Sequence, residues 1–192
     1  WQAQPVAVLD TTSASGLSPS RRILWVNEEA RQERVLPGMR YAAALSLCGT
    51  LRASELPERE IEETLTAIAR LFLRFTPGVE PVPEDRGVFW LSAVGLTARS
   101  QRPGLRGALY ESLRKWANLL RETLKKAEQL DCSVAVGFSK FATAAIAKAK
   151  RGTIVLRAPE DETAVARHVP LERLVLEPEV CALLSKLDVK NV

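Results

Sequence analysis

One stretch, Phe75 to Leu96, limits the folds open to this chain more than any other. It reads FTPGVEPVPEDRGVFWLSAVGL, and Pro77, Gly78, Glu80, Pro81, Pro83, Glu84, Asp85 and Gly87 make it the tightest run of turn formers and acids in the sequence. Proline and glycine halt regular structure and supply turn conformations. The VFWLS that follows is a short apolar run of strand formers. The stretch therefore predicts a hairpin with acids at its mouth. Such acids either hold a metal ion against solvent or belong to a plain surface turn.

Long helical patterns flank this hairpin. Pro57 to Phe75 predicts an amphipathic helix, because Ile61, Leu65, Ile68, Phe72 and Phe75 recur at spacings of 4, 3, 4 and 3. Pro57 suits a first helical position, Glu58, Glu60, Glu62 and Glu63 sit near the positive end, and Arg70 and Arg74 sit near the negative end. Leu105 to Leu130 predicts a second long helix, with Leu105, Leu109, Leu113, Trp116, Leu120, Leu124 and Ala127 on one face. Arg106, Arg114, Lys115, Arg121, Lys125 and Lys126 line the other, interrupted by Glu111, Glu122 and Glu128. Such a face either steers DNA or is simply solvated.

Before the first long helix, Pro5 to Leu9 and Arg21 to Asn27 read as strands around a polar loop, Asp10 to Ser20. Asn27 is placed to cap a short helix with Glu28 and Glu29 in its first turn. Met39 to Cys48 reads as another short helix and Thr50 to Ala53 as a strand. Thr97 to Gly104 reads as a polar loop. After the second long helix come a strand over Cys132 to Phe138, a helix over Ser139 to Lys150, a strand over Thr153 to Leu156, a helix over Pro159 to His168 and a last helix over Glu179 to Leu187. Mixed strands and helices with an antiparallel hairpin predict an α+β sheet with helices packed on one face. Trp25, Trp90 and Trp116 are expected in the core.

Composition narrows the class. The chain has 192 residues, with 46% hydrophobic and 26% charged, which suits a globular protein and not a disordered one. No apolar run approaches the roughly 20 residues needed to cross a bilayer. Trp1 to Pro5 has neither the basic start nor the apolar core of a signal peptide. Cys48, Cys132 and Cys181 are far apart and odd in number, which predicts reduced thiols in a cytoplasmic protein. His168 is the one histidine that could join them at a zinc ion. The formal net charge of +4 permits nucleic-acid binding without demanding it. The abrupt opening at Trp1 and the apolar close at LDVKNV suggest a fragment of a longer protein.

Four segments in order resemble the Y-family translesion DNA polymerases. EARQERVLPGM followed by AAALSLC resembles their fingers signature, and FTPGVEPVPEDRGVFWLS resembles the palm hairpin that carries catalytic carboxylates. VAVGFSKFATAAIAKAKRGTIVL resembles the strand, helix and strand that follow, and LLSKLDVKNV resembles part of the thumb helix-hairpin-helix. The resemblance implies fingers over residues 1–56, a ferredoxin-like palm over 57–167 and the start of a thumb over 168–192. It implies two-metal nucleotidyl transfer, for which two Mg²⁺ ions roughly 3.5–4 Å apart bridge the attacking and leaving oxygens.

The family's carboxylates are thinned here. Aligned from Val79-Glu80-Pro81, the family segment S-I-D-E falls on Pro83, Glu84, Asp85 and Arg86, so Asp85 is kept and a cation replaces the glutamate. The family's first metal-binding motif would lie before Trp1. Arg31 is kept in the fingers, whereas Glu28 stands where a tyrosine is expected. The palm-helix lysine that holds the triphosphate falls near Ala144, with Lys140 and Lys148 each one turn away. The thumb segment Val175-Leu176-Glu177-Pro178 has no glycine to grip a phosphate.

These departures resemble the catalytically degraded, ImuB-type accessory branch of the family. The implied role is a DNA-binding accessory in damage-induced translesion synthesis, with primer–template DNA, a sliding clamp, an error-prone replicative-type polymerase and a RecA-like protein as partners. The last three would bind through segments outside this chain. Asp85 is either a vestigial Mg²⁺ ligand or a turn acid. Arg31 either contacts phosphate or pairs with Glu28. Lys140 and Lys148 are the candidate nucleotide-phosphate residues, and Lys150 and Arg151 the candidate DNA contacts. The other reading is a residual Mg²⁺-dependent polymerase that uses Asp85 with carboxylates upstream of Trp1.

Overall fold

The computed structural model describes residues 4–10, 19–97, 106–174, 176 and 178–192. The chain divides into two units, Trp1–Leu65 and Thr66–Val192, with the division inside a helix. The class is mixed α+β, with small sheets in each unit.

In the first unit, β1 (Val6–Leu9) lies between β2 (Ile23–Val26) and β3 (Arg52–Glu55). It runs antiparallel to β2 and parallel to β3. Two short helices, α1 (Glu28–Gln32) and α2 (Tyr41–Leu47), complete the unit's core. That core includes Ala7, Leu9, Ile23, Val26, Ala30, Val35, Ala44, Cys48 and Leu51. Asn27 is the local organiser. Its Oδ1 accepts from the Ala30 N–H at 3.0 Å, which caps α1, and from the Val6 N–H at 2.9 Å, which ties the cap to β1. Arg21 is buried against Glu55 of β3 with 2.5 Å between Nη1 and Oε1.

Trp25 departs from the sequence expectation. It is 54% exposed, as is Leu24 at 52%. The cause is a register shift in the β1–β2 pair. Val8 faces Trp25, but Leu9 faces Ile23, so Leu24 is an extra residue in β2. A bulge of this kind breaks the alternation of faces. Ile23 and Val26 both reach the core, and the two residues between them are left outside.

The second unit carries the hairpin. Helix α3 (Glu58–Phe72) enters it, and β4 (Val79–Pro81) pairs antiparallel with β5 (Phe89–Leu91). Helix α5 (Arg106–Glu128) packs Leu120 and Leu124 against Ile68 and Phe72, with Trp116 and Phe89 beside them. Phe72 meets Phe89 edge to face at 5.6 Å. The chain continues as β6 (Val134–Val136), α6 (Lys140–Ala149) and β7 (Thr153–Val155). β6 and β7 are parallel, as a crossover helix between them requires. Helix α7 (Pro159–Ala166), a 3-10 turn at Leu171–Arg173 and α8 (Pro178–Lys186) follow. Ala166 and Val169 bury against Ala145 and Ile146 of α6.

Both long helices form where the periodicity places them. One short helix is not anticipated by the sequence reading. Val94–Thr97 forms α4, and the Val94 N–H at its start donates to Ser92 Oγ at 3.5 Å. Most of the expected loops at Asp10–Ser20 and Thr97–Gly104, together with Leu105, Val175 and Glu177, lie outside the described residues.

Candidate functional site

The hairpin closes at its base and its tip by different means. At the base, the buried Thr76 donates its hydroxyl to the Ser92 carbonyl at 2.7 Å, and the Ser92 N–H donates to the Gly78 carbonyl at 2.9 Å. A side chain at Gly78 would begin only 2.7 Å from the Ser92 Cβ, so glycine is required for the strands to close here. At the tip, the Asp85 N–H donates to the Val82 carbonyl at 3.2 Å and the Val88 N–H to the Asp85 carbonyl at 3.0 Å. Asp85 thus joins two consecutive turns. Gly87, with φ of +88°, supplies the left-handed residue that the second one needs.

The Asp85 side chain does not fold back on its own turn. Its Oδ2 forms an ion pair with the Nζ of Lys148, near the end of α6. Only 23% of the Asp85 side chain and 19% of the Lys148 side chain are exposed. Lys140, at the start of the same helix, donates to Glu80 Oε2 at 2.9 Å and lies 5.5 Å from the centre of the Trp90 ring. This second pair is open to water, with 66% and 67% of its side chains exposed. The two lysines singled out as phosphate candidates therefore hold two of the three hairpin acids, Glu80 on β4 and Asp85 at the tip.

Helix α6 is held in place by an acid that the sequence reading did not single out. Glu162, from α7, is only 3% exposed. Its carboxylate accepts from the Phe138 N–H at 3.1 Å, the Ser139 N–H at 3.0 Å and the Thr143 hydroxyl at 2.6 Å. Ser139 adds an ordinary cap, accepting from the Ala142 N–H. A negative group here is favoured by the positive end of the helix. A Cβ at Gly137 would collide with Glu162 Oε1 and Thr143 Oγ1, so the strand-to-helix junction has no room for a side chain. The signal in the sequence was Glu162 lying four residues before Ala166, on the stripe that α7 buries.

Between hairpin, α5 and α6 lies a cavity of about 850 Å³. Both β5 and β6 border it, Leu120 and Leu124 supply apolar floor, and Lys140 and Lys148 stand on its wall. Cys132 also lines it. Burial pushes this thiol up to about 11, the nearby Arg121 opposes that rise, and Asp131 adds to it. Arg121 donates to the Cys132 carbonyl at 2.7 Å and to Asp131 at 3.0 Å, so one cation of the expected basic α5 face serves the fold.

The remaining candidates are dispersed. Lys150 and Arg151 are exposed just after α6, before Gly152 with φ of +99°. Arg31 is half-buried on α1 in the first unit. Arg86 is exposed at the hairpin tip and does not line the cavity.

A magnesium ion prefers near-octahedral oxygen ligands, usually one or two carboxylates with phosphates and water. Among the described residues no three His, Cys, Asp or Glu side chains come together in a way that could hold a metal. Asp85 already has an ammonium in contact, and its neighbours are the exposed Glu84 and Arg86. These residues do not fit a magnesium site.

The fold is that of known polymerases. An insertion ternary complex of Dbh DNA polymerase matches with a TM-score of 0.70 at 17% identity, over 97% of this chain and 51% of that one. DinB from Sulfolobus solfataricus matches with a TM-score of 0.67 at 19% identity, over 99% of this chain and 52% of that one. This chain therefore spans about half the length of these polymerases. No curated protein sequence matches it. The impB/mucB/samB family model covers residues 2–148, which include the hairpin, α5 and nearly all of α6. With the Y-family polymerase fold, that match makes the chain a member of the impB/mucB/samB family.

Proposed function

We propose that this protein is a catalytically inactive Y-family polymerase relative that binds primer–template DNA and serves as an accessory in translesion synthesis. The Asp85–Lys148 ion pair carries this reading. Two-metal transfer needs carboxylates free to bridge cations to phosphates. Here the one aspartate kept from the palm hairpin spends its charge on a lysine of the same chain.

Residues 1–56 act as fingers, 57–167 as palm and 168–192 as the start of a thumb. Lys150 and Arg151, exposed after α6, contact DNA phosphates. Lys140 is exposed enough to exchange Glu80 for a phosphate, whereas Lys148 is committed to Asp85. Arg31 makes a separate phosphate contact from the fingers. A sliding clamp, an error-prone polymerase and a RecA-like protein bind through segments outside this chain, on the bacterial nucleoid. No helix among the described residues is long and apolar enough to cross a membrane, which is consistent with that placement.

Primer extension with the full-length protein tests the reading. The expected result is DNA binding without nucleotide incorporation in Mg²⁺ or Mn²⁺. Incorporation that disappears in Asp85→Ala would sink it.

A further inference from the structure

We infer that Lys148 is a tethered cation that takes the place of a divalent ion at the Asp85 carboxylate, latching the hairpin tip to α6 without any ion from solution. The inference rests on the reading above in treating the hairpin as a former metal site. It adds that the position is filled by this chain and closed to metal.

Three observations carry it. The Asp85–Lys148 pair is largely shielded from water on both sides, unlike Lys140–Glu80. A shielded carboxylate needs a compensating charge, and a lone one would be costly. The second observation is the position of the lysines along α6. Lys140 and Lys148 are eight residues apart, about 12 Å of helix, and the cavity wall between them carries the small side chains of Ala144 and Ala147. The helix thus offers a cation near each end, and between them no other charge lines the cavity, the Thr143 hydroxyl being given to Glu162. The third is the hairpin itself. Two of its three acids, Glu80 on β4 and Asp85 at the tip, each meet one of those cations. A metal arriving at Asp85 would have to expel an ammonium from a protected position, against charge repulsion, and no cluster of three metal-ligating side chains among the described residues would receive it.

The test uses the whole chain, with Mn²⁺ as the probe. Electron paramagnetic resonance of free Mn²⁺ should show no binding that depends on Asp85, and thermal melting should be the same within about 1 °C in millimolar Mg²⁺ and in EDTA. Lys148→Met and Asp85→Asn should each lower the melting temperature by about 3–8 °C, Lys148→Arg should recover most of the loss, and the double variant should lose less than the sum of the two. Additive losses, or no loss in either single variant, would overturn the latch. Mn²⁺ binding to the wild type that Asp85→Asn abolishes would also overturn it. If that protein still failed to extend primers, the accessory reading would survive. Primer extension by a protein with no Asp85-dependent Mn²⁺ binding would overturn the accessory reading and leave the latch standing.

Discussion

Lys148 and Asp85 meet as an ion pair between the end of one helix and the tip of a hairpin, and neither side chain is more than a quarter exposed. The neighbouring pair, Lys140 and Glu80, has the same charges and about three times the exposure. Shielding separates their energetics. An exposed pair is screened and contributes about 0–1 kcal/mol, whereas breaking a shielded pair strands a charge. Lys148→Met should cost about 1–3 kcal/mol in urea denaturation, and Lys140→Ala no more than about 1 kcal/mol. Equal losses from the two variants would contradict the difference in burial.

The Glu162 carboxylate is another buried charge with a defined task. Glu162→Ala should destabilise by about 3–5 kcal/mol, since it leaves two N–H groups and a hydroxyl without their acceptor. Glu162→Gln keeps one acceptor oxygen and should cost less. Gly137→Ala should act on the same group from the other side, by driving a methyl into the carboxylate, at about 1–3 kcal/mol. Chemical denaturation followed by circular dichroism measures all three.

Cys132 gives a pH signature. Its ordinary value of 9.0 is raised to about 11, mainly by burial. Between those values the unfolded chain has released this proton and the folded chain has kept it. The unfolded state then binds fewer protons, so the stability this group contributes is full below pH 9 and falls as pH rises towards 11. Alkylation by iodoacetamide at pH 8, mapped by mass spectrometry, should be slow at Cys132, because the thiolate is the reactive form. Rapid labelling of the folded protein at that pH would contradict the raised value.

Changing Lys150 and Arg151 together to alanine should weaken DNA binding. The slope of log affinity against log salt should become shallower by roughly 1–2 if both contact phosphates. Fluorescence anisotropy with a labelled primer–template at several salt concentrations reads this directly. An unchanged slope would remove both residues from the interface.

Much of the architecture was legible because it is local. Ile61, Leu65, Ile68 and Phe72 repeat with the period of a helix, and Asn27 followed by two glutamates is a helix start. Pro77-Gly78 and Gly87 punctuate the hairpin. What the sequence concealed was non-local. The bulge that exposes Trp25 depends on how β2 meets β1, and a tryptophan in an apolar run gives no sign of it. Arg86, beside Asp85 in the chain, is the cation that replaces the family's glutamate. The cation that pairs with Asp85 is Lys148, from a different element. Adjacent residues in a tight turn point in different directions, whereas a lysine near the end of α6 has the reach to meet the tip.

The Glu162 cap also bears on the order of events while the chain is being made. Helix α6 leaves the ribosome before α7 does, so its first turn emerges with the Phe138 and Ser139 N–H groups facing water. Those donors gain their carboxylate only when residue 162 has been synthesised and α7 has docked. Until then α6, the helix that carries Lys148, has its Ser139 cap but lacks the Glu162 anchor. The Asp85 of the hairpin is thus paired with a lysine whose helix takes part of its own anchoring from residues further down the chain.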